Sequence, residues 1–441
     1  MKIKHIVLVT TALLALCGSP FSFAQAAPKA APKAAPTAVT SSVVDTTKKP
    51  TPQMLEAMYQ NAWFTTGEKY WNEDRLSDWG SWEHKFDGKL KTEQDLDDAL
   101  KQMVASLHDT WTTYQSSHER LVEVFADFRG IVNFGMKVRQ DGEGNYFVKI
   151  APFNSPARAA GLQAGDRIVS IAGKPLRGLK LEQVEALMEA PTNSSVAVVY
   201  AADDNVEHSI TVKAVKLTAP NAEAKMLPDG VLYMRLSSYM DGSDIGLFNA
   251  SVAKVLEGNA TVTGVVFDLR GNAGGDFQLV LNEMSFFVPG KVIVSSETRN
   301  GNVTTTSQMH AKPLTAFELS GLSASNRKMI DVFSHSPMVV LVDGSTASAA
   351  EITTATLSEN GRATSVGVNT FGKNYGFEEI DVPLGGLLTV TNLKYTTPQG
   401  TDVSDGGLHP QIFVKQGRDG VDTQLQAGLD QLRSISSKQT K

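Results

Sequence analysis

Three short stretches of this 441-residue chain hold residue types that could do chemistry. The first, Gly344-Ser345-Thr346-Ala347-Ser348-Ala349-Ala350-Glu351, follows the apolar run Met338-Val339-Val340-Leu341-Val342 and opens a helical pattern that closes at Asn360-Gly361. A turn from a buried strand into a helix presents side chains and unpaired N–H groups at one point, where the helix dipole favours negative charge; such a place suits a nucleophile. Ser348 and Glu351 equally fit a capping box, and on these residues alone that structural role has the stronger claim. The second, Val265-Val266-Phe267-Asp268-Leu269-Arg270-Gly271-Asn272-Ala273-Gly274-Gly275, sets a polar glycine turn after a buried strand. It lacks the lysine-serine ending and glycine spacing of phosphate loops, whereas flexible glycines with free N–H groups suit an oxyanion hole. The third, Phe371-Gly372-Lys373-Asn374-Tyr375-Gly376, holds a lysine between aromatic residues and glycines. Exposed, it is an ordinary surface charge; buried, it would lose that charge readily and become a base.

The elements that must position these residues can be read from the rest of the chain. Hydrophobic content of 41%, charged content of 20% and a formal charge of −6 describe a globular protein with no basic face for nucleic acid. The length predicts two or three domains. Residues 1–24 combine Lys2 and Lys4, an apolar run and small residues at Ser22 and Ala24, the pattern of a cleaved secretory signal. Its removal takes the formal charge from −6 to −8 and removes Cys17, the single cysteine, so neither a thiol nucleophile nor a disulfide is expected in the mature protein. Leu14-Ala15-Leu16-Cys17 is similar to a lipoprotein signal, although Leu16 is large for the residue before a modified cysteine. No other apolar run approaches the roughly 18–20 residues of a membrane span, so a soluble exported product is expected.

Residues 25–50 are rich in Ala, Pro, Lys and Thr and predict a disordered linker. Residues 51–126 read as a helical module, with Trp71, Trp79, Trp82 and Trp111 packing it. Short strands with one helix over Leu181 to Met188 take over in 127–217, and strands and helices alternate in 218–441, as an α/β core requires. Ser155-Pro156-Ala157-Arg158-Ala159-Ala160-Gly161-Leu162-Gln163-Ala164-Gly165-Asp166-Arg167-Ile168 and the following Ile171-Ala172-Gly173-Lys174-Pro175-Leu176 closely resemble a PDZ domain. Such a domain adds a peptide as an extra strand and holds its terminal carboxylate on backbone amides. The resemblance places its groove between the strand after Gly130, with Ile131, Phe134 and Gly135, and the helix carrying Val184, Leu187 and Met188. Phe134 could instead fill the pocket as a plug.

Taken together, these pieces resemble the carboxyl-terminal processing proteases, exported serine-lysine peptidases of tail-specific type with an embedded PDZ domain. The likeness runs from about Met54 to Leu432 and includes residues 103–114, the PDZ stretch, Asp268 to Gly275, Ser345 to Glu351, Thr370 to Lys373, Tyr395-Thr396-Thr397-Pro398-Gln399-Gly400 and Asp422 to Gln426. It implies a multidomain α+β protein: an N-terminal helical module, a PDZ-like β-barrel domain and an α/β peptidase core of ClpP/crotonase-like type. It further implies Ser348 as nucleophile, Lys373, 25 residues on, as its base, and backbone N–H groups of Ala349 and of Gly274 or Gly275 as the oxyanion hole. No metal or cofactor is implied. The expected partners are polypeptides with free apolar C-termini in the bacterial periplasm, with room for an adaptor protein and for an oligomer. Where the family's glutamine, four residues after the lysine, would orient the amine, this chain has Phe377, with Glu378 and Glu379 beside it. A carboxylate there would favour the charged amine. That departure sustains a second reading, a catalytically silent scaffold binding exported chains. A third, a small apolar or acyl ligand in the α/β core, rests on fold alone.

Overall fold

The structure, a computed structural model, describes residues 49–121, 131–152, 155–202, 205–215, 222–257, 261–417 and 421–439. The expected signal, Cys17 and nearly all of the linker lie outside the described residues, as do residues 122–130, across the predicted module boundary. The chain divides into two compact units: the described part of Met1–Val122 with Thr298–Thr304 and Gly376–Leu393, and Glu123–Glu297 with Thr305–Tyr375 and Lys394–Lys441. The N-terminal module is therefore not one run of sequence, because two later segments complete it.

In the first unit, Thr51 caps the helix Pro52–Lys69, with Pro52 at its first position, and Thr92 with Asp95 forms a capping box for Glu93–Ala105. Leu55, Tyr59, Leu96, Leu100 and Met103 pack with Val382, Leu388 and Val390 from the later segment. Strand Thr113–Gln115 runs antiparallel to the second of these segments, with Thr113 opposite Thr389. Trp63 and Trp79 each donate an indole N–H to the other's carbonyl, at 3.0 and 3.2 Å. Trp79 is buried, and Trp63, Trp71 and Trp82 pack against the same cluster.

The second unit begins with a barrel. Strands Lys137–Gln140, Tyr146–Ile150, Arg167–Ile171, Ser195–Ala201 and Glu207–Lys213 pair in that order, and helices Pro156–Ala159 and Leu181–Leu187 cover them. Ile131–Asn133 is not the edge of this sheet; it pairs separately with Glu189–Pro191, and Lys137–Gln140 and Glu207–Lys213 stand at the sheet's two ends. Phe134 has no exposed surface and packs with Val184 and Met188 in the barrel core, with Leu187 against it. The Phe134 N–H donates to Met188 O at 2.9 Å and that of Gly135 to Asn133 Oδ1 at 2.8 Å.

Beyond the barrel, six strands follow the order Ala222–Met226, Val231–Leu236, Gly264–Asp268, Met338–Val342, Thr364–Gly367, Ile412–Phe413; the first pair is antiparallel and the rest parallel. Every residue of Gly264–Asp268 and Met338–Val342 is buried, as a parallel sheet covered on both faces demands. Phe248, Phe267, Phe287 and Phe333 stack, the last two rings 4.2 Å apart. A separate cluster joins Val266, Val339, Leu341 and Val366 to Leu432 of the helix Thr423–Gln439. The strands Gly264–Asp268, Met338–Val342 and Thr364–Gly367 each end in one of the three chemically suggestive stretches. Among the described residues no helix is long and apolar enough to cross a membrane.

Candidate active site

The serine turn begins where the strand Met338–Val342 gives way to Asp343. Asp343 Oδ1 accepts the N–H groups of Gly271 and Ser345 at 3.0 and 2.9 Å, and Thr346 Oγ1 donates to Leu269 O at 2.9 Å. Ala347 N–H reaches Asn272 O at 2.9 Å. These bonds tie the serine turn to the glycine turn. Ser348 then adopts φ 54° and ψ −120°, a conformation costly for a residue with a side chain and typical of functional strain. The helix Ala349–Glu359 follows at once.

Only glycine fits opposite that turn. At Gly274, φ 92°, a Cβ would lie 2.7 Å from Ala347 O, 2.8 Å from Ser348 Cβ and 2.9 Å from Ala349 N. At Gly275, φ 147°, it would lie 2.2 Å from the Tyr239 carbonyl carbon. Gly274 donates its N–H to Asn272 Oδ1 at 2.9 Å, so of the two glycines that one is occupied. The N–H groups of Gly275 and Ala349 take no acceptor among the described residues. Beneath the loop, Arg270 forms an ion pair with Asp268 and another with Asp422, both at 2.7 Å, and Gln424 Oε1 accepts from it at 3.3 Å. Burial pushes Asp268 up, but Arg270 and the Tyr233 hydroxyl outweigh it and hold the carboxyl below its usual range.

The lysine turn is fastened to the same place. Phe371 N–H donates to Thr346 O at 2.9 Å, and Gly372, φ 89°, passes so close to Val403 O that a Cβ would sit 2.7 Å from it. Glu351 unites the two turns: Oε2 accepts the N–H groups of Ser348 and Lys373, each at 2.8 Å, while Oε1 accepts that of Gly372 at 2.7 Å and the Thr370 hydroxyl. The capping box is thus present, with its glutamate half firm and the Ser348 Oγ making no cap hydrogen bond of normal geometry. Burial raises Glu351 to about 6 against those four donors. Burial likewise lowers the Lys373 amine to about 8, helped by Lys137 and Lys149 and opposed by Glu351.

One participant was not found in the sequence. Tyr395, buried in the strand Gly386–Thr396, donates its hydroxyl to the Lys373 carbonyl, and the Ser348 side chain acts on its phenol. Burial keeps its phenol neutral. Its motif Tyr395-Thr396-Thr397-Pro398 was visible, but nothing in the spacing linked it to the serine. The residues considered for orienting the amine are placed otherwise: Glu378 pairs with Lys69 at 2.8 Å and accepts from Asn392, and Phe377 and Glu379 are exposed in the same unit. His310, His335 and His409 are exposed.

The barrel touches the serine turn directly. Arg158 pairs with Asp343 at 2.6 Å, Ala151 N–H donates to Ser345 Oγ at 3.0 Å, and a Cβ on Gly344 would lie 2.9 Å from Ala164 Cβ.

Residues 230–414 match Peptidase family S41 and residues 154–201 match a PDZ domain. A carboxyl-terminal-processing protease of Synechocystis sp. is 29% identical over 359 residues, 78% of each chain. A carboxy-terminal processing protease of Bacillus subtilis is 27% identical over 74% of this chain and 66% of its own. The solved photosystem II D1 C-terminal processing protease superposes with a TM-score of 0.63 at 22% identity, covering 82% of this chain and 93% of that one, and so shares the fold.

Proposed function

We propose that this chain, which belongs to peptidase family S41 and is a serine-type peptidase of the carboxyl-terminal processing kind, cuts polypeptides with Ser348 as nucleophile and Lys373 as base. The observation that carries this reading is the joint anchoring of both turns on Glu351, with the lysine amine brought to about 8 by burial. The neutral amine takes the Ser348 proton as Oγ bonds to the substrate carbonyl carbon. The resulting oxyanion is met by the N–H groups of Ala349 and Gly275, interactions whose loss typically costs about 100- to 1000-fold in rate. Collapse breaks the C–N bond, and the ammonium returns its proton to the leaving amine. Water then repeats the sequence and frees Ser348.

The substrates proposed are exported polypeptides with free apolar C-termini, added as a strand beside Lys137–Gln140; displacement of the Phe134 plug would open the pocket for the terminal residue. Export itself rests on residues 1–24 and is tested by the N-terminal sequence of the mature protein. For the chemistry, cleavage of a peptide ending in a free apolar residue is followed by product mass with wild type, Ser348→Ala and Lys373→Ala. Both variants are expected to fold and to lose cleavage; full activity in either removes the dyad.

A further inference from the structure

Tyr239 touches both halves of the oxyanion site without lying in any of the three chemically suggestive stretches. It sits between the strand Val231–Leu236 and the helix Gly242–Leu256, which Asp241 caps, and it has no exposed surface. Its main chain runs alongside the glycine turn: Tyr239 N–H donates to Gly274 O at 2.9 Å, and Tyr239 O accepts from Asp276 N–H at 2.8 Å. These two bonds straddle Gly275, whose own N–H takes part in neither. Nearby, Asn272 Nδ2 donates to Leu236 O at 3.0 Å, so the end of that strand holds the glycine turn at two places.

The side chain of Tyr239 runs to the other half. Its hydroxyl oxygen lies 2.9 Å from Thr353 Oγ1, which lies 3.0 Å from Ala349 O, one helical turn earlier. A carbonyl can only accept and a hydroxyl has one proton to give, so Thr353 donates to Ala349 and accepts from Tyr239. Burial pushes the Tyr239 phenol upward and keeps that proton in place. Tyr239, Thr353 and Ala349 are all buried, where a hydrogen bond is stronger and its loss more costly. Thr354 makes the same back-bond to Ala350 O at 2.8 Å with no tyrosine behind it.

We infer that Tyr239 is a positioning residue that sets the spacing of the two oxyanion donors, its main chain placing Gly275 and its hydroxyl, through Thr353, placing Ala349. The inference rests on the Ser348–Lys373 reading of the site. The bonds through Asp343, Thr346 and Ala347 also join the two turns, but they lie before Ser348, whereas Tyr239 joins them after it. Spacing matters because the donors must meet the oxygen where it will stand in the transition state, and a misplacement near 1 Å can cost about 100-fold.

The test compares Tyr239→Phe, Thr353→Val, Thr353→Ser, Thr354→Val and the double variant Tyr239→Phe/Thr353→Val in the full-length protein. Peptide cleavage gives kcat and KM; a peptide aldehyde and the alcohol of the same sequence give affinities with and without an oxyanion. Ser348 Oγ adds to the aldehyde carbon, its proton passes to Lys373 and the carbonyl electron pair becomes the oxyanion, so no group leaves. The alcohol offers no such carbon. Tyr239→Phe and Thr353→Val are each expected to lower kcat about tenfold with KM within about twofold, part of the loss that removal of a whole donor brings. Aldehyde affinity falls by the same factor as kcat/KM, and alcohol affinity stays in place. Thr353→Ser keeps the hydroxyl and the rate. Thr354→Val also keeps the rate, which separates the strut from a general weakening of the helix. The double variant falls no further than the weaker single variant, as members of one chain of bonds should. Unchanged kcat in both single variants, equal loss of aldehyde and alcohol affinity, a loss of rate in Thr353→Ser or Thr354→Val as large as in Thr353→Val, or effects that multiply in the double variant overturns the strut. Folding is read by circular dichroism, and should Tyr239→Phe not fold, the Thr353 variants carry the comparison. Failure of the dyad is separate, because it appears as retained cleavage in Ser348→Ala or Lys373→Ala.

Discussion

Replacing Glu351 by Gln acts on stability and on catalysis in directions that can be separated. The carboxylate receives four donors, two on each oxygen. A glutamine keeps one oxygen and turns an NH2 toward the other two donors, which loses two hydrogen bonds to a charged acceptor, about 3–6 kcal/mol in all. Against this, the neutral amide escapes the burial that still raises Glu351 from 4.5 to about 6 after the four donors have acted, a relief of at least about 2 kcal/mol. The net expectation above pH 6 is a loss of up to about 4 kcal/mol, against the 5–15 kcal/mol that holds a typical domain. The sign with pH follows from the raised value. Between 4.5 and about 6 the folded protein binds more protons at this site than the unfolded chain, so wild type loses about 2 kcal/mol from this group as pH rises through that window, and Glu351→Gln does not. Catalysis responds differently: Glu351 favours the charged form of Lys373, so its removal shifts the basic group of the pH–rate profile below about 8. Urea unfolding at pH 4 and pH 7, and kcat/KM from pH 6 to 10, measure both. A profile that stays in place or moves to higher pH would refute the electrostatic link between the two residues, and unchanged stability would refute the anchoring role.

Wild-type kcat/KM is expected to fall about tenfold per pH unit below a midpoint near 8, because only the neutral amine accepts a proton; a limb centred near 10 would mean that Lys373 is not desolvated in solution. Tyr395→Phe removes the hydroxyl that donates to the Lys373 carbonyl, and steady-state kinetics should show kcat reduced with KM nearly unchanged. Stability in that variant should drop by about 1–3 kcal/mol, the cost of a buried acceptor left unpaired. Gly274→Ala forces a methyl into contacts of 2.7–2.9 Å at a φ of 92°, so circular dichroism should report a folded protein with lowered melting temperature and peptide assays should report little cleavage. A fully active Gly274→Ala would show that the loop is far looser than its contacts imply.

The parallel sheet was the most legible part of the fold. Met338–Val342 and the helix Ala349–Glu359 stand where the apolar run and the helical pattern ending at Asn360-Gly361 placed them, and the Ser348 and Lys373 turns come together because each follows a buried strand of one sheet. Less was legible where polar residues form strands. Val292–Asn300 and Val303–His310 are rich in Ser, Thr and Gln, and their one local signal was Asn300-Gly301, with Gly301 at φ 58°. Lys137–Gln140 was passed over for a similar reason, since Val138 is its single buried residue. Tyr395 was hidden differently: it lies 47 residues beyond Ser348, on a strand whose position the local pattern could not give. Glu351 was recognised as a capping residue, but its grip on Gly372 and Lys373 is a tertiary fact.

The clamp on Arg270 sets an order of events during synthesis. Asp268 and Arg270 are buried at the root of the glycine loop, and Asp422 and Gln424, the other half of the clamp, are made 152 and 154 residues after Arg270. A growing or clipped chain that ends before Asp422 already carries the serine, the lysine and both glycines. It lacks the partner whose removal from a buried ion-pair network typically costs about 3–5 kcal/mol. The glycine loop is therefore expected to set only after residues 422–424 have been made. Comparing a chain truncated at residue 421 with the full chain, for cleavage and for protection of residues 270–275 from hydrogen exchange, tests that order.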